Sequence, residues 1–298
     1  MGRQQDRRPL DRAIVRKCTS AGFGRTVWQG KRILITGGGT GLGASMARRF
    51  AELGARLVLC GRRPQMLDET AEALRSELRA QVDTLPCDVR DPAAVDAMMD
   101  DIWRTGPIDV LVNNAAATCI AQTEKLSSRA VDAVLGVTLH GAVYCTLGAG
   151  RRWIEGGHKG VVLSILSTST RTGRAFTVPS SIAKSGLLAM TRSLGVEWGP
   201  KGIRTVAIEP GPFPTRATAT QLMTGVRAAG GGPAATNPLG RVGEHIELAN
   251  LAAYLVSDQA GYINGESVAI DGGAHLRTSG AEDLLSWTEE QWEQTRRK

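Results

Sequence analysis

A glycine-rich segment between an apolar run and a helical stretch constrains this chain more than any other feature. The segment TGGGTGLG (36–43) directly follows RILIT (32–36) and precedes ASMARRFAELG. Glycines here let the backbone turn tightly and let a helix pack closely on a strand. A strand, a glycine turn and a helix in this order aim free backbone N–H groups at an anion. We therefore predict a dinucleotide-binding turn made of Gly37, Gly39, Thr40, Gly41, Leu42 and Gly43.

The alternation of apolar runs and helical periods continues along the chain. Candidate strands lie at 32–36, 56–60, 82–86, 108–112, 160–165, 203–208 and 267–271. Such alternation indicates parallel strands with helices on both faces. We predict an α/β, doubly wound Rossmann fold with a seven-stranded parallel sheet over 30–275. A basic arm (1–29) would precede this domain, and a tail (276–298) would follow it. In the tail, Ser286 and Glu289 have the spacing of a capping box before a short helix. The Gly/Pro/Ala-rich stretch 228–238 is expected to be a mobile loop.

The positive charge of the chain lies at its ends. The 298 residues carry a formal net charge of +7, and both termini are rich in arginine. Without 1–29 and the last three residues, the remainder is close to neutral. A basic groove built into the fold is therefore not expected, and we predict no nucleic-acid partner.

Cysteine usage and apolar patterning bear on location. The five cysteines have no CxxC spacing and their number is odd, which is typical of free thiols in a reducing compartment. The N-terminus lacks a secretory apolar region, and no apolar run reaches the length that spans a bilayer. We expect a cytoplasmic protein without a membrane partner. No cluster of residues suggests a metal site or a Ser-His-Asp triad.

The end of the second predicted strand bears on the choice of cofactor. NAD-binding folds place an acid there, on the ribose 2′-hydroxyl. This chain has Gly61 near that place, followed by Arg62 and Arg63. Guanidinium groups pair with a 2′-phosphate, which an acid would repel. The cofactor is therefore predicted to be NADP or NADPH.

Several motifs, in order, resemble those of the short-chain dehydrogenase/reductase superfamily. They are TGGGTGLG, CDV (87–89), NNAA (113–116), PGP (210–212) and INGESVAIDGG (263–273). The resemblance implies that Asp88 and Val89 hold the adenine. It also implies that the PGPF loop meets the nicotinamide carboxamide, that Lys184 orients the nicotinamide ribose, and that the protein is a homotetramer. The other residues it implies at the cofactor are Asn114, Ala115, Ala116, Pro210, Gly211, Pro212 and Phe213.

A narrower resemblance is to the 2,4-dienoyl-CoA reductase branch. It rests on QGKRILITGGGTGLG, CDVRDP, VPSSIAKSG with VEWG, and the tail SGAEDLLSWTEEQW. Enzymes of this branch use NADPH to reduce a conjugated dienoyl thioester to a 3-enoyl thioester. The resemblance implies an acyl-CoA substrate, with Arg62, Arg90 and Ser127 near the CoA moiety.

The catalytic residues differ from the usual Tyr-x-x-x-Lys of the superfamily. Lys184 is present, but Ser180 stands four residues before it, and an aliphatic hydroxyl is a much weaker acid than a phenol. Hydrogen-bond donors directed at a thioester oxygen must then supply a larger part of the transition-state stabilisation. The candidate catalytic residues are Lys184, Ser180, Ser169, Ser167 and Thr118.

Two other interpretations remain open at this point. The chain could reduce a carbonyl or conjugated substrate of specialised metabolism at a serine-centred site. It could also be a non-catalytic NADP-binding sensor or assembly protein, since folds of this type host many functions.

Overall fold

The computed structural model describes residues 28–215, 234, 237–277, 284 and 286–296. Seven parallel strands form one sheet in the order β3-β2-β1-β4-β5-β6-β7. This confirms the predicted doubly wound fold. The strands are β1 Arg32–Thr36, β2 Arg56–Gly61, β3 Val82–Pro86, β4 Val110–Asn113, β5 Gly160–Ile165, β6 Ile203–Pro210 and β7 Glu266–Ile270.

Helices connect the strands and cover the sheet. They are α1 Gly41–Glu52, α2 Pro64–Leu78, α3 Pro92–Arg104, α4 Ser128–Leu135, α5 Gly141–Gly156, α6 Ser169–Thr172, α7 Val178–Trp198, α8 His245–Val256 and α9 Glu289–Arg296. A π-helical turn, Gly136–His140, joins α4 to α5. Of the predicted outer segments, residues 1–27 and most of 228–238 lie outside the described residues, and the division into arm, domain and tail stays a prediction.

Alternation along the strands separates two apolar layers, because successive side chains point to opposite faces of a sheet. In β1, Ile33 and Ile35 pack on one face with Phe50 of α1. Leu34 faces the other layer, where it meets Met99 of α3 and Trp153 of α5. Both layers are fully buried, so the sheet is a rigid platform for the loops at its carboxyl edge.

Four strands differ from their predicted ends, and in β2 the difference is the single residue Gly61. β4 begins at Val110, since the Asp109 carboxylate accepts a hydrogen bond from the Arg32 backbone N–H (2.8 Å) just before the strand. β6 runs two residues further than predicted and includes Glu209, whose buried carboxylate is paired with Arg171. β7 ends at Ile270, because Asp271 turns the chain by accepting from the Gly273 N–H (2.9 Å).

The capping box of the tail lies two residues later than predicted. Helix α9 begins at Glu289, and Thr288 with Gln291 forms the reciprocal pair. Thr288 and Gln291 have the same spacing as the predicted Ser286 and Glu289, two residues later, so the pattern alone did not distinguish them. The rings of Trp287 and Trp292 pack with centroids 5.0 Å apart.

The helical stretch Ser128–Gly156 corrects the statement that no apolar run could span a bilayer. By length and composition alone, this stretch is long and apolar enough to cross a membrane, with a mean hydropathy of 1.4 in its most apolar window. Here the stretch packs on the sheet and on α3: Trp153 is fully buried and its indole N–H donates to the Ile108 carbonyl (2.6 Å). The core helices of globular proteins meet the same criterion.

Candidate active site

The site lies where the strand order reverses, beyond the carboxyl ends of β1 and β4. At such a switch point the loops after neighbouring strands diverge and leave a crevice. Here the loop after β1 is the glycine turn, and the loop after β4 begins with Asn114. The crevice thus brings two of the predicted motifs together.

The glycine turn is shaped so that only glycine fits at its centre. Gly37 and Gly41 have positive φ values of 67° and 55°. A Cβ on Gly43 would lie 2.2 Å from the Gly37 carbonyl oxygen. Thr40 precedes α1 without a side-chain cap, which leaves the first N–H groups of the helix for another acceptor. These features are compatible with the pyrophosphate of a dinucleotide, and binding of the cofactor by this turn stays a prediction.

Asn114 fixes the shape of this turn. Its side-chain amide donates to the carbonyls of Thr36 (2.9 Å) and Gly37 (3.2 Å). The Thr36 hydroxyl in turn accepts from the backbone N–H groups of Asn114 and Ala115. The loops after β1 and β4 therefore hold each other, and Asn114 supports the glycine turn, a role that the sequence did not predict.

The loop after β6 closes the site from the other side. A Cβ on Gly41 would come within 3.3 Å of the Thr215 methyl group, so this loop reaches the glycine turn. Phe213 is buried against Gly243, and the Pro212 carbonyl accepts from the Gly243 N–H (3.0 Å). The predicted PGPF segment is thus a packed wall of the same crevice.

His245 is a residue of the site that the sequence did not single out. Its Nδ1 lies 2.8 Å from the Ser45 hydroxyl on α1, and its Nε2 lies 2.7 Å from the Pro214 carbonyl. The imidazole thereby joins the helix of the glycine turn to the loop after β6. A lone histidine at the start of a helix gives no such signal in the sequence.

The end of β2 carries the residues predicted to select the cofactor. Gly61 ends the strand, and Arg62 and Arg63 are exposed beyond it. Arg90 binds Asp88 through two N–H groups, with Nε 3.0 Å from each carboxylate oxygen. Hydrogen bonds from Arg90, with the charge of Arg62 as a smaller cause, hold the pKa of Asp88 below its ordinary value. Asp88 is therefore an anion between two arginines, beside the buried Val89.

Lys184 is the buried cation of the crevice. It lies two turns into α7, only 6% exposed, and its Nζ donates to the carbonyl of Ile165 at the end of β5. Burial lowers the pKa of Lys184 to about 8. Ser180 precedes it by four residues on the same helix face and is half-buried.

The predicted hydroxyls follow β4 and β5. Ser167 lies between β5 and α6, and Ser169 is the first residue of α6, 8% exposed. The Ser169 N–H donates to the Ser167 hydroxyl (3.3 Å). Thr118 follows β4, next to Ala117, whose backbone is held at both ends by the buried Thr138 hydroxyl. The Ala121 N–H donates to the Phe176 carbonyl (3.0 Å), so the loop of Thr118 meets the loop that leads into α7.

The site contains no phenol. The three tyrosines of the chain are Tyr144, Tyr254 and Tyr262. Tyr144 packs beside His140 with ring centroids 6.2 Å apart, Tyr254 lies on α8, and Tyr262 is fully exposed. Serine therefore stands at the place of the usual tyrosine, and no other tyrosine replaces it.

Comparison with known proteins agrees with this geometry. A family model described as enoyl-(acyl carrier protein) reductase matches residues 37–275, which include the glycine turn, Lys184 and the loop after β6. The chain belongs to the short-chain dehydrogenase/reductase family.

Three relatives illustrate where it stands in this family. A probable 2,4-dienoyl-CoA reductase of Bacillus subtilis, described as (2E)-enoyl-CoA-producing, is 40% identical over 83% of this chain and 97% of its own. A probable (3E)-enoyl-CoA-producing reductase of Caenorhabditis elegans is 36% identical over 89% and 88%. A putative 2-deoxy-D-gluconate 3-dehydrogenase of Agrobacterium tumefaciens, solved with bound NADP, is 30% identical over 84% and 98%, with a TM-score of 0.76. As a member of this family, the chain is an oxidoreductase with the fold of a nicotinamide cofactor enzyme.

Two of the three residues predicted at the CoA moiety, Ser127 and Arg90, already have partners within the chain. Ser127 is the N-cap of α4, where its hydroxyl accepts from the Ala130 N–H (3.2 Å). Arg90 is bound to Asp88, and its methylenes lie beside Gly136 of the π-helical turn. Both side chains are exposed, and their contact with CoA stays a prediction. In the part of the chain that the structure describes, no group of three His, Cys, Asp or Glu side chains could hold a metal ion.

Proposed function

We propose that this short-chain reductase uses NADPH to reduce a conjugated enoyl- or dienoyl-CoA thioester. The observation that carries the proposal is a buried lysine at the end of β5, with serine in place of the usual tyrosine and aliphatic hydroxyls in the loops after β4 and β5. Ketone reduction requires an acid that protonates an alkoxide, for which a phenol is suited and a serine is not. Reduction of a conjugated thioester requires donors that stabilise an enolate oxygen. The names of two relatives, 2,4-dienoyl-CoA reductases at 36–40% identity, support this chemistry.

Some residues of the site are assigned to binding of the cofactor and others to the substrate. The glycine turn and Asn114 would hold the dinucleotide, and bound NADPH would supply the hydride. Lys184 would bind the nicotinamide ribose and bring a positive charge to the site. The hydroxyls of Ser167, Ser169 and Thr118 would donate to the thioester oxygen as it becomes negative. Such donors are most effective in a site shielded from water, and Ser169 is buried.

The position of the product double bond depends on where the proton arrives. Hydride addition at C5 of a 2,4-dienoyl thioester leaves an extended dienolate with charge on O1, C2 and C4. Protonation at C2 gives the 3-enoyl thioester, and protonation at C4 gives the 2-enoyl thioester. We infer that ordered water supplies this proton, since no phenol is present and a serine hydroxyl is a weak acid. We propose the 3-enoyl thioester, the product for which the Caenorhabditis elegans relative is named, whereas the Bacillus subtilis relative is named for the 2-enoyl product.

The proposed preference for NADPH rests on the end of β2. Gly61 leaves room for a 2′-phosphate, and Arg62 and Arg63 are exposed beside it. We expect NADPH to bind at least about 10-fold more tightly than NADH in a fluorescence titration, because a charge-assisted pair with phosphate contributes more than 1 kcal/mol. Arg62→Gln should weaken NADPH binding and leave NADH binding unchanged. Equal affinity of the wild type for the two cofactors would refute the assignment of Arg62.

A pair of substrates tests the proposed reaction. We expect NADPH oxidation with a 2,4-dienoyl-CoA and at least about 100-fold slower oxidation with a 3-ketoacyl-CoA, followed by absorbance between pH 5 and 9. Faster turnover of the ketone would contradict the proposal. Silence with both substrates, while NADPH still binds, would favour a specialised substrate or a non-catalytic sensor.

We also propose that the protein works in the reducing environment of the cytoplasm. Cys60, Cys87, Cys119 and Cys145 are free thiols, and three of these four are buried. The fold is shared with the bacterial relative, while Cys18 lies outside the described residues.

A further inference from the structure

The turn that carries the candidate hydroxyls has no apolar side chain of its own. Its sequence, 167–172, is Ser-Thr-Ser-Thr-Arg-Thr, and the last buried apolar residue before it is Leu166. Helix α6 is a single turn, Ser169–Thr172, which is too short to be stable by itself. Hydrophobic packing therefore cannot fix this turn on the sheet, and some other interaction must do so.

An ion pair between the partly exposed Arg171 and a buried carboxylate ties the turn to the sheet. Arg171 donates from Nε to the carboxylate of Glu209 on β6, and from Nη2 to the Ser267 carbonyl on β7 (3.2 Å). The Ser267 hydroxyl donates to the other Glu209 oxygen (2.8 Å). The Glu209 side chain is 1% exposed, so its charge depends on these two partners. Three elements, α6, β6 and β7, thus meet on one carboxylate.

Glu209 also adjoins the loop that closes the cofactor crevice. It directly precedes the PGPF segment, and the next residue, Pro210, accepts from the Thr168 N–H (3.4 Å). The same backbone therefore carries the anchor of the hydroxyl turn and the start of the loop. Any shift of Arg171 relative to Glu209 would change the distance between Ser169 and both Lys184 and this loop.

We propose that Glu209, acting through Arg171, is a positioning residue that holds the Ser167 and Ser169 hydroxyls in place for reduction of the thioester. The inference rests on the proposed function, which makes these hydroxyls the donors to the substrate oxygen. Glu209 itself is not a catalytic residue, because both oxygens of its carboxylate are engaged within the fold.

Glu209→Gln tests the proposal, since it keeps the size of the side chain and removes the charge that orients Arg171. We expect kcat for a dienoyl-CoA to fall about 10- to 100-fold, because small displacements of catalytic groups have effects of this order. The Kd of NADPH should change less than about 3-fold, since the glycine turn is untouched. The matched control is Glu72→Gln, the same change at an exposed partner of Arg75 on α2, which should leave both quantities unchanged.

Amide hydrogen exchange provides a readout that does not depend on turnover. The N–H groups of Thr170, Arg171 and Gly173 are bonded within the turn, to the Ser167, Thr168 and Ser169 carbonyls respectively. In Glu209→Gln these amides should exchange at least about 10-fold faster, while amides of β5 and β6 keep their protection. Unchanged exchange in the turn would overturn the proposal. Faster exchange throughout the sheet would also overturn it, because it would show a general structural role.

Two further variants complete the test. Arg171→Lys retains the charge and loses the planar guanidinium that donates to two acceptors at once, so kcat should lie between the values of the wild type and Glu209→Gln. Ser267→Ala removes one partner of Glu209 without removing a charge. It should also make the amides of the turn exchange faster, by a smaller factor, and it provides the test if Glu209→Gln does not fold. If the wild type does not reduce dienoyl-CoA, the proposed function fails, and the exchange measurements still decide whether Glu209 holds the turn.

Discussion

The Lys184 side chain is buried, with only 6% of the residue exposed, and its ammonium group donates to a carbonyl and not to a carboxylate. No carboxylate lies within ion-pair distance of Lys184 in the described part of the chain. Burial lowers its pKa to about 8, so the folded state holds this proton less tightly than the unfolded chain does. A site that binds a phosphate-rich cofactor explains why such a charge is retained.

Lys184→Met should therefore stabilise the protein while abolishing its activity. It keeps the length of the side chain and removes an uncompensated buried charge, which is expected to raise the free energy of unfolding at pH 7 by about 1–3 kcal/mol. The wild-type chain binds more protons when unfolded between the folded pKa of about 8 and the ordinary 10.5, so its stability rises with pH there. The advantage of the variant should shrink over this range in urea unfolding. A variant less stable than the wild type at pH 7 would show that Lys184 is structurally paired.

At the scale of elements, the glycine turn has no room for a side chain at position 43. A Cβ there would lie 2.2 Å from the Gly37 carbonyl oxygen and 2.6 Å from the Asn114 side-chain nitrogen, so relief requires the turn or α1 to move. The same Asn114, at the start of the loop after β4, donates to the Thr36 and Gly37 carbonyls. The shape of the turn is therefore set by the loops after two strands at once.

Gly43→Ala should disrupt cofactor binding more than it disrupts folding. We expect the Kd of NADPH to rise at least about 10-fold and the free energy of unfolding to fall by about 1–3 kcal/mol, as for overpacked sites. Gly136→Ala is the matched control, because its Cβ would lie 3.6 Å from the nearest atom, in the Arg90 side chain. Calorimetric titration and thermal unfolding measure the two effects. Unaltered NADPH affinity in Gly43→Ala would contradict the placement of the pyrophosphate.

The sequence predicts the elements of this fold well, because apolar periodicity and glycine turns are local signals. It fails at places decided by long-range contacts. Glu209 looks like a strand end, yet it lies inside β6, since Arg171, 38 positions away, neutralises it. The role of His245 depends on Ser45, 200 positions away. Residues with special backbone requirements were found from the sequence, whereas the pairs that hold the site together were not.

At the scale of the whole molecule, exposed apolar side chains indicate how copies associate. Val196 is 81% and Ile182 51% exposed on α7, and Ile154 is 37% exposed on α5. These are the helices after β5 and β4, and we propose them as interfaces of the homotetramer that the family resemblance implies. Groups of this kind on neighbouring helices are typical of association surfaces.

We expect light scattering to give a mass near four times 31.6 kDa. Val196→Glu combined with Ile182→Glu should lower this mass, because charges would be buried without partners in the interface. Ser76→Glu, which adds one charge of the same sign to an exposed position of α2, should leave it unchanged. An unaltered mass in the double variant would place the interface elsewhere.

At the scale of the whole molecule, the distribution of the net charge also bears on which ligands the protein binds. The chain is basic at its termini, while the arginines near the crevice face sites proposed for phosphates of small molecules. Arg62, Arg63 and Arg90 lie at the ends of β2 and β3, beside the crevice. The pattern favours the proposed anionic cofactors and substrates.

Transfer of deuterium from NADPH labelled at nicotinamide C4 to a 2,4-dienoyl-CoA tests the central claim most directly. Mass spectrometry of the product in ordinary water should show one deuterium on the acyl chain, at C5, and a single remaining double bond. In heavy water with unlabelled NADPH, the deuterium should appear at C2 of a 3-enoyl thioester. An acyl product that carries no label from NADPH would contradict the account. Reduction of a 3-ketoacyl-CoA faster than the dienoyl-CoA, with the label on the hydroxyl-bearing carbon of its product, would also contradict it.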